Sequence, residues 1–197
     1  MPKLKVIART GVGVDLVDTP VIARKYPNIT YQQTDFEHRI FTPQKKKYDV
    51  LWCHDSFQYA INPINTLKTW NSNMNENGML VLILKQTVGY EYNRYVGRTH
   101  NFQYFNYSLG NLLYMLAVNG FDCNDAYAYN DVQNNYLHLA VYKSDISPMD
   151  PTKTTLADLA DLGLLHTSVV NSINKYNHLR HEDILYPWLD KDFYRAK

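Results

Sequence analysis

The sequence predicts a doubly wound α/β domain, and three observations carry that expectation. Two apolar runs, over residues 48–54 and 79–84, flank a stretch of helical periodicity, and a strand, helix and strand in that order form a right-handed βαβ unit. The second run, MLVLIL, is nearly continuous, the pattern of a strand buried on both faces of a parallel sheet. Between the first strand and the helix lies a polar crest, His54-Asp55-Ser56. Ligands of open α/β sheets bind outside the carboxyl ends of their strands, where this crest falls.

The chain before this unit also alternates between elements. Residues 3–8 (KLKVIA) read as a short strand or the end of a helix. Gly11 and Gly13 precede a strand over 14–17 that carries Asp15. Asp18 or Thr19 can cap a helix with Pro20 in its first turn, and Pro27 stops it. Residues 29–33 alternate into a strand ending at Asp35, with Phe36 beside it, and a polar linker with Pro43 leads to residue 48.

Within the unit, Asn62 caps a helix that has Pro63 in its first turn. Ile64, Leu67, Trp70 or Asn71, and Met74 mark its apolar face, and Asn77-Gly78 is expected to end it. Residues 88–101 read as a long polar and aromatic loop over the strand ends. Leu109, Leu112, Leu113 and Leu116 then repeat at helical spacing, and Gly120 stands where a C-terminal cap belongs. Residues 121–129 and 136–142 are strands close enough in sequence to pair antiparallel. After Pro148 the character changes: helices are expected over 155–165 and 169–179, followed by an aromatic tail from Pro187-Trp188. The expected division is a domain over 1–147 and a helical extension over 148–197, docked on the domain or on a partner.

Composition narrows the function. A chain of 197 residues with 45% hydrophobic residues can bury a core. A net charge of +1 gives no electrostatic footprint for nucleic acid, and Lys45-Lys46-Lys47 read as a solvated loop. Cys53 and Cys123 both fall inside core strands and read as reduced thiols. No stretch approaches the ~20 apolar residues of a membrane span. The expectation is a soluble, cytoplasmic protein. The 17 tyrosines and abundant asparagine point to an AT-rich source such as a virus, which would place it in a virion or the host cytoplasm.

Two readings of the polar residues stay open on the residues alone. An acid at a strand end can bind a ligand or cap the following helix. His54-Asp55 can serve as a proton acceptor or as a turn satisfying its own hydrogen bonds. His178, His181 and Glu182, in HLRHED, read as a solvated helix end, and no metal site is expected.

The order of elements resembles class I S-adenosylmethionine-dependent methyltransferases from about Gly11 to Lys143, a Rossmann-like sheet with an antiparallel last strand. GVDLVDTPVIARKYPNITYQQTDFEH resembles the family's second-strand acid, helix and third-strand acid. YDVLWCHDSFQYAINPINTLKTWNSNMNENGMLVLIL resembles its fourth strand, helix, turn and fifth strand, and HNFQYFNYSLGNLLYMLAVNGFD its late helix and sixth strand. The resemblance implies S-adenosylmethionine as cofactor. It places Asp15 on the ribose hydroxyls, Asp35 at the adenine amino group and Phe36 against the ring. His54 and Asp55 would line the methionine end and the acceptor, with Tyr59 and Tyr104 at the mouth. One motif departs from the family: about a dozen residues precede Val14, and a parallel crossover alone takes a dozen or more. The glycine-rich first loop is therefore missing from its place, and the fold is expected to be truncated at its amino end. Three readings follow: a shortened methyltransferase, one half of a split enzyme completed by a protein partner, or an inactive scaffold or oligomeric assembly protein on the same fold.

Overall fold

The computed structural model describes residues 47–85, 105, 107, 109–131, 136–168, 170 and 171. The strands and helix expected over 14–35, with Asp15, Asp35 and Phe36, lie outside these residues. So do Tyr104, the loop over 88–101, and the chain beyond 171.

Strand β1 (Tyr48–His54) alternates, burying Tyr48, Leu51 and Cys53. A single 3₁₀ turn (Phe57–Tyr59) leads into helix α1 (Pro63–Asn73). Asn62 caps α1 as expected: its side-chain oxygen accepts from the Asn65 N–H at 3.0 Å, and Pro63 occupies the first turn. Leu67 and Trp70 face inward and are fully buried.

The helix does not run to Asn77-Gly78. It stops at Asn73, and strand β2 (Met74–Lys85) begins at once. Two interactions account for the earlier end. Met74 turns to extended backbone and buries its side chain completely. The Lys143 ammonium donates to the carbonyls of Asn71 (3.0 Å) and Met74 (3.2 Å), placing a cation at the negative end of the helix. Asn77-Gly78 instead forms a bulge within β2. Asn77 adopts φ +59, and the pairing with β1 jumps from Tyr48–Met74 to Val50–Met79. A Cβ on Gly78 would stand 2.9 Å from the Asn75 carbonyl oxygen and 3.1 Å from that of Tyr48, so only glycine fits between the strands.

Helix α2 (Leu109–Val118) ends at Gly120, which takes φ +79. Strands β3 (Phe121–Asp131) and β4 (Tyr136–Lys143) follow and pair antiparallel, as the sequence predicts. The sheet order is β1-β2-β4-β3. β1 and β2 are parallel, and β4 inserts antiparallel between β2 and β3. A bulge in β3 between Asp122 and Tyr127 breaks its ladder with β4. There the Cys123 N–H donates outward to the Leu164 carbonyl at 3.0 Å.

One face of the sheet holds the core. Leu51, Cys53, Leu80, Leu82, Leu84, Leu137, Leu139, Val141 and Ala128 pack with Leu67 and Trp70 of α1 and the leucines of α2. The other face is covered in part: along β2, Ile83 is buried there as MLVLIL suggests, whereas Met79 and Val81 are half-buried. Residues after Pro148 join the same core. Helix α3 (Leu156–Asp161) opens with a capping box between Thr155 and Asp158. It stops at Gly163 (φ +73) rather than at 165, and Leu159, Leu164 and Leu165 are buried in the common cluster. Among the described residues no helix is long and apolar enough to cross a membrane.

Candidate functional site

The crest after β1 is a built turn. Asp55 adopts φ +49, a left-handed conformation that a short polar side chain tolerates and most residues avoid. Its N–H donates to the Ile83 carbonyl at 2.7 Å, which extends the β1–β2 ladder by one bond. The Ser56 hydroxyl is buried and donates to the His54 carbonyl at 2.9 Å. The Tyr59 N–H closes the 3₁₀ turn on the Ser56 carbonyl at 3.0 Å. Below the turn Phe57 is fully buried, stacked on Tyr107 at a 5.2 Å centroid separation and tilted against Trp70 at 5.4 Å. The crest therefore stands on the aromatic part of the core.

The two predicted residues lie together on this support. The amide of Gln58 donates to Asp55 Oδ1, and the Tyr136 hydroxyl approaches Asp55 Oδ2 at 3.4 Å. The His54 ring stacks on Tyr136 with centroids 5.8 Å apart and planes at 21°. Gln58 is 1% exposed, and among the described residues its Oε1 has no hydrogen-bond partner. Leaving a buried acceptor unsatisfied costs about 1–3 kcal/mol. On the same face His138 of β4 contacts Tyr129 of β3 at 5.7 Å. Register places His54, Ile83, His138 and Tyr129 in one row across the sheet.

Chemically, this rim is rich in acceptors. The Asp55 carboxylate has one oxygen engaged by an amide and the other only loosely approached, so lone pairs remain for an incoming donor. Gln58 and Tyr136 were not expected from the sequence. Gln58 lies three residues past Asp55, the reach of a turn, which is a usable local signal. Tyr136 lies 81 residues away from Asp55, and only the strand order brings it there. Asp15, Asp35 and Phe36 lie outside the described residues, as do His178, His181 and Glu182.

No protein-family model matches the chain, and no curated protein sequence matches it. Solved structures do. The CurJ carbon methyltransferase superposes with a TM-score of 0.52 at 15% identity, over 64% of this chain and 38% of that one. A SAM-dependent methyltransferase from Thermotoga maritima gives a TM-score of 0.50 at 14% identity, over 65% of this chain and 70% of that one. This chain thus spans well under two thirds of the first protein. The fold is therefore methyltransferase-like, and among the described residues its sheet has the order β1-β2-β4-β3.

Proposed function

We propose that the chain is a methyltransferase-like protein that binds S-adenosylmethionine beside the His54-Asp55 crest and presents that crest to a methyl acceptor. The observation that carries this reading is the rim itself. At the carboxyl end of a parallel strand pair, Asp55 is pinned in a left-handed turn next to Gln58, whose buried Oε1 has no hydrogen-bond partner among the described residues. Such a rim suits a ligand bearing ammonium and hydroxyl donors, as this cofactor does. When bound, the cofactor supplies an electrophilic methyl group on a sulfonium. The chain's own part is to position the acceptor in line, with Asp55 or His54 accepting its proton. Asp15, Asp35 and Phe36 are the proposed contacts to ribose and adenine. Both thiols are free and buried, which fits a reducing compartment such as the cytoplasm.

A second reading is a non-catalytic scaffold or assembly protein on the same fold. The exposed aromatic residues Trp52, Tyr127 and Tyr142 favour it. Calorimetry with S-adenosylmethionine and S-adenosylhomocysteine separates the two. We expect micromolar binding that weakens at least severalfold in Asp55→Ala and in Asp15→Ala. If no heat appears at high protein concentration, the chain does not bind the cofactor by itself. Co-purification then decides: a partner carrying a glycine-rich loop means a split enzyme, and a large symmetric assembly means a scaffold.

A further inference from the structure

The chain contains two Asn-Gly dipeptides, Asn77-Gly78 and Asn119-Gly120, and the fold treats them in opposite ways. An asparagine before glycine is prone to one covalent reaction. The glycine nitrogen attacks the asparagine side-chain carbon Cγ, the Cγ–Nδ2 bond breaks, and the nitrogen's proton leaves on the departing ammonia. A five-membered succinimide remains, and water opens it on one side or the other. One opening gives aspartate. The other gives isoaspartate, in which the main chain runs through Cβ and Cγ and gains one atom. Glycine favours the attack because it has no Cβ to block it.

Asn119-Gly120 is held shut. Asn119 is 1% exposed, and its Nδ2 donates to the Met115 carbonyl at 2.8 Å. The nitrogen that would attack, that of Gly120, donates to the Ala117 carbonyl at 2.9 Å. The Gly120 carbonyl accepts from Asn71 Nδ2, the Ser144 N–H and the Ser144 hydroxyl, each at 3.0 Å. Rotating this peptide means undoing the end of α2. Asn77-Gly78 is different, for Asn77 is exposed. The pairing of β2 with β1 skips from Met74 to Met79, and its pairing with β4 starts at Met79, so residues 75–78 take no register partner in either strand. Opposite them in β1 stands Asp49, whose carboxylate accepts from Asn75 Nδ2 at 2.6 Å on the surface. Rotating the Asn77-Gly78 peptide disturbs at most the Tyr48–Met74 pair beyond it, a local opening rather than a global one.

We propose that Asn77 is a modification site: it deamidates through attack by Gly78 in the folded chain, Asn119 does not, and the isoaspartate product unfastens the start of the β1–β2 ladder. The last step follows from the space around Gly78. A Cβ there would lie 2.9 Å from the Asn75 carbonyl oxygen and 3.1 Å from that of Tyr48, so an added main-chain atom cannot enter without moving one of them. The Tyr48–Met74 pair gives way, because the pairs from Val50–Met79 onward run without a break. Met74 also caps the end of α1 and lends its carbonyl to the Lys143 ammonium, so the helix end loosens with it. The inference holds whether or not a cofactor binds.

Peptide mapping by mass spectrometry, on the full chain aged in warm, mildly alkaline buffer, tests it. A gain of a single mass unit marks each event. The expected result is modification of Asn77 at least about tenfold faster than of Asn119 in the folded protein, with the two rates converging in concentrated urea. No gain at Asn77 while the chain is folded overturns the proposal, and so do equal rates at the two sites. A gap that persists in urea also overturns it, since the difference then belongs to the sequence and not to the fold. The structural consequence has its own control in Asn77→Asp, which supplies the charge on an ordinary backbone in a turn that aspartate tolerates. Its urea midpoint should match that of the wild type. The isoaspartate species separated from aged protein should unfold at lower urea, with faster hydrogen exchange at Tyr48 and Met74. An isoaspartate species no less stable than Asn77→Asp overturns the unfastening.

Discussion

Cys53 immediately precedes His54, yet its side chain enters the core while the imidazole stays on the other face. Burial pushes the Cys53 thiol up to about 12, and the backbone N–H groups of Phe57 and Ser56 pull the other way without offsetting it. Cys123 is raised well above its ordinary value for the same reason, and burial raises Tyr48 too. In the unfolded chain these thiols ionise near 9.0, the reference value for Cys53, whereas in the folded protein they keep their protons. The unfolded state therefore loses protons first as pH rises, and the Cys53 contribution is present below about pH 9 and lost toward about pH 12, with Cys123 acting in the same direction. Urea unfolding at a series of pH values should show stability declining across that window. Cys53→Val should flatten the decline, and an unchanged slope would mean that this thiol is not the titrating group. Alkylation of Cys53 at neutral pH should likewise be slow until the protein unfolds.

Short elements depend most on their ends, and α3 is the clearest case. It has six residues, too few to be stable by propensity alone. The Thr155 hydroxyl accepts from the Asp158 N–H, and the Asp158 carboxylate accepts from the Thr155 N–H at 2.7 Å. Those hydrogen bonds hold the Asp158 carboxyl below its ordinary range, so their contribution is present above about pH 4 and fades as pH falls further. Thr155→Ala should destabilise the protein by about 1 kcal/mol, read from the urea midpoint at neutral pH. A shift indistinguishable from zero would mean that packing alone holds α3. The Asn62-Pro63 start of α1 and the Gly120 end of α2 were legible in the sequence, because their partners lie within a turn of them. The end of α1 was not legible. Asn77-Gly78 carries a stop signal, but Lys143, about seventy residues later, closes the helix four residues earlier. The candidate site divides the same way: position marked His54 and Asp55 at a strand's carboxyl end, whereas Tyr136 reaches them only because β4 lies beside β2.

At the scale of the molecule, the question is whether residues after Pro148 form a separate unit or part of the same cooperative structure. Several contacts tie them to the sheet domain. The Met149 N–H donates to the Val118 carbonyl at 2.8 Å. The Tyr114 hydroxyl donates toward the carbonyls of Pro151 (2.9 Å) and Thr154 (3.0 Å). The Leu164 carbonyl takes the Cys123 N–H that the β3 bulge releases, and Leu159 is fully buried beside the α2 leucines. A segment that satisfies a strand's outward amide and fills the core around a helix cannot leave without exposing both. Unfolding of 149–165 and of the sheet should therefore be one transition. Leu159→Ala should cost about 2–5 kcal/mol, and the loss should reach the strands of the sheet. In native-state hydrogen exchange, the amides of Leu80 and Leu82 in β2 should accelerate by the same factor as those of 156–165. Acceleration confined to 150–165 would show a tail that opens independently. Coupled acceleration would mean that the tail's packing helps set the stability of β2, whose Ile83 carbonyl holds the Asp55 N–H in the crest.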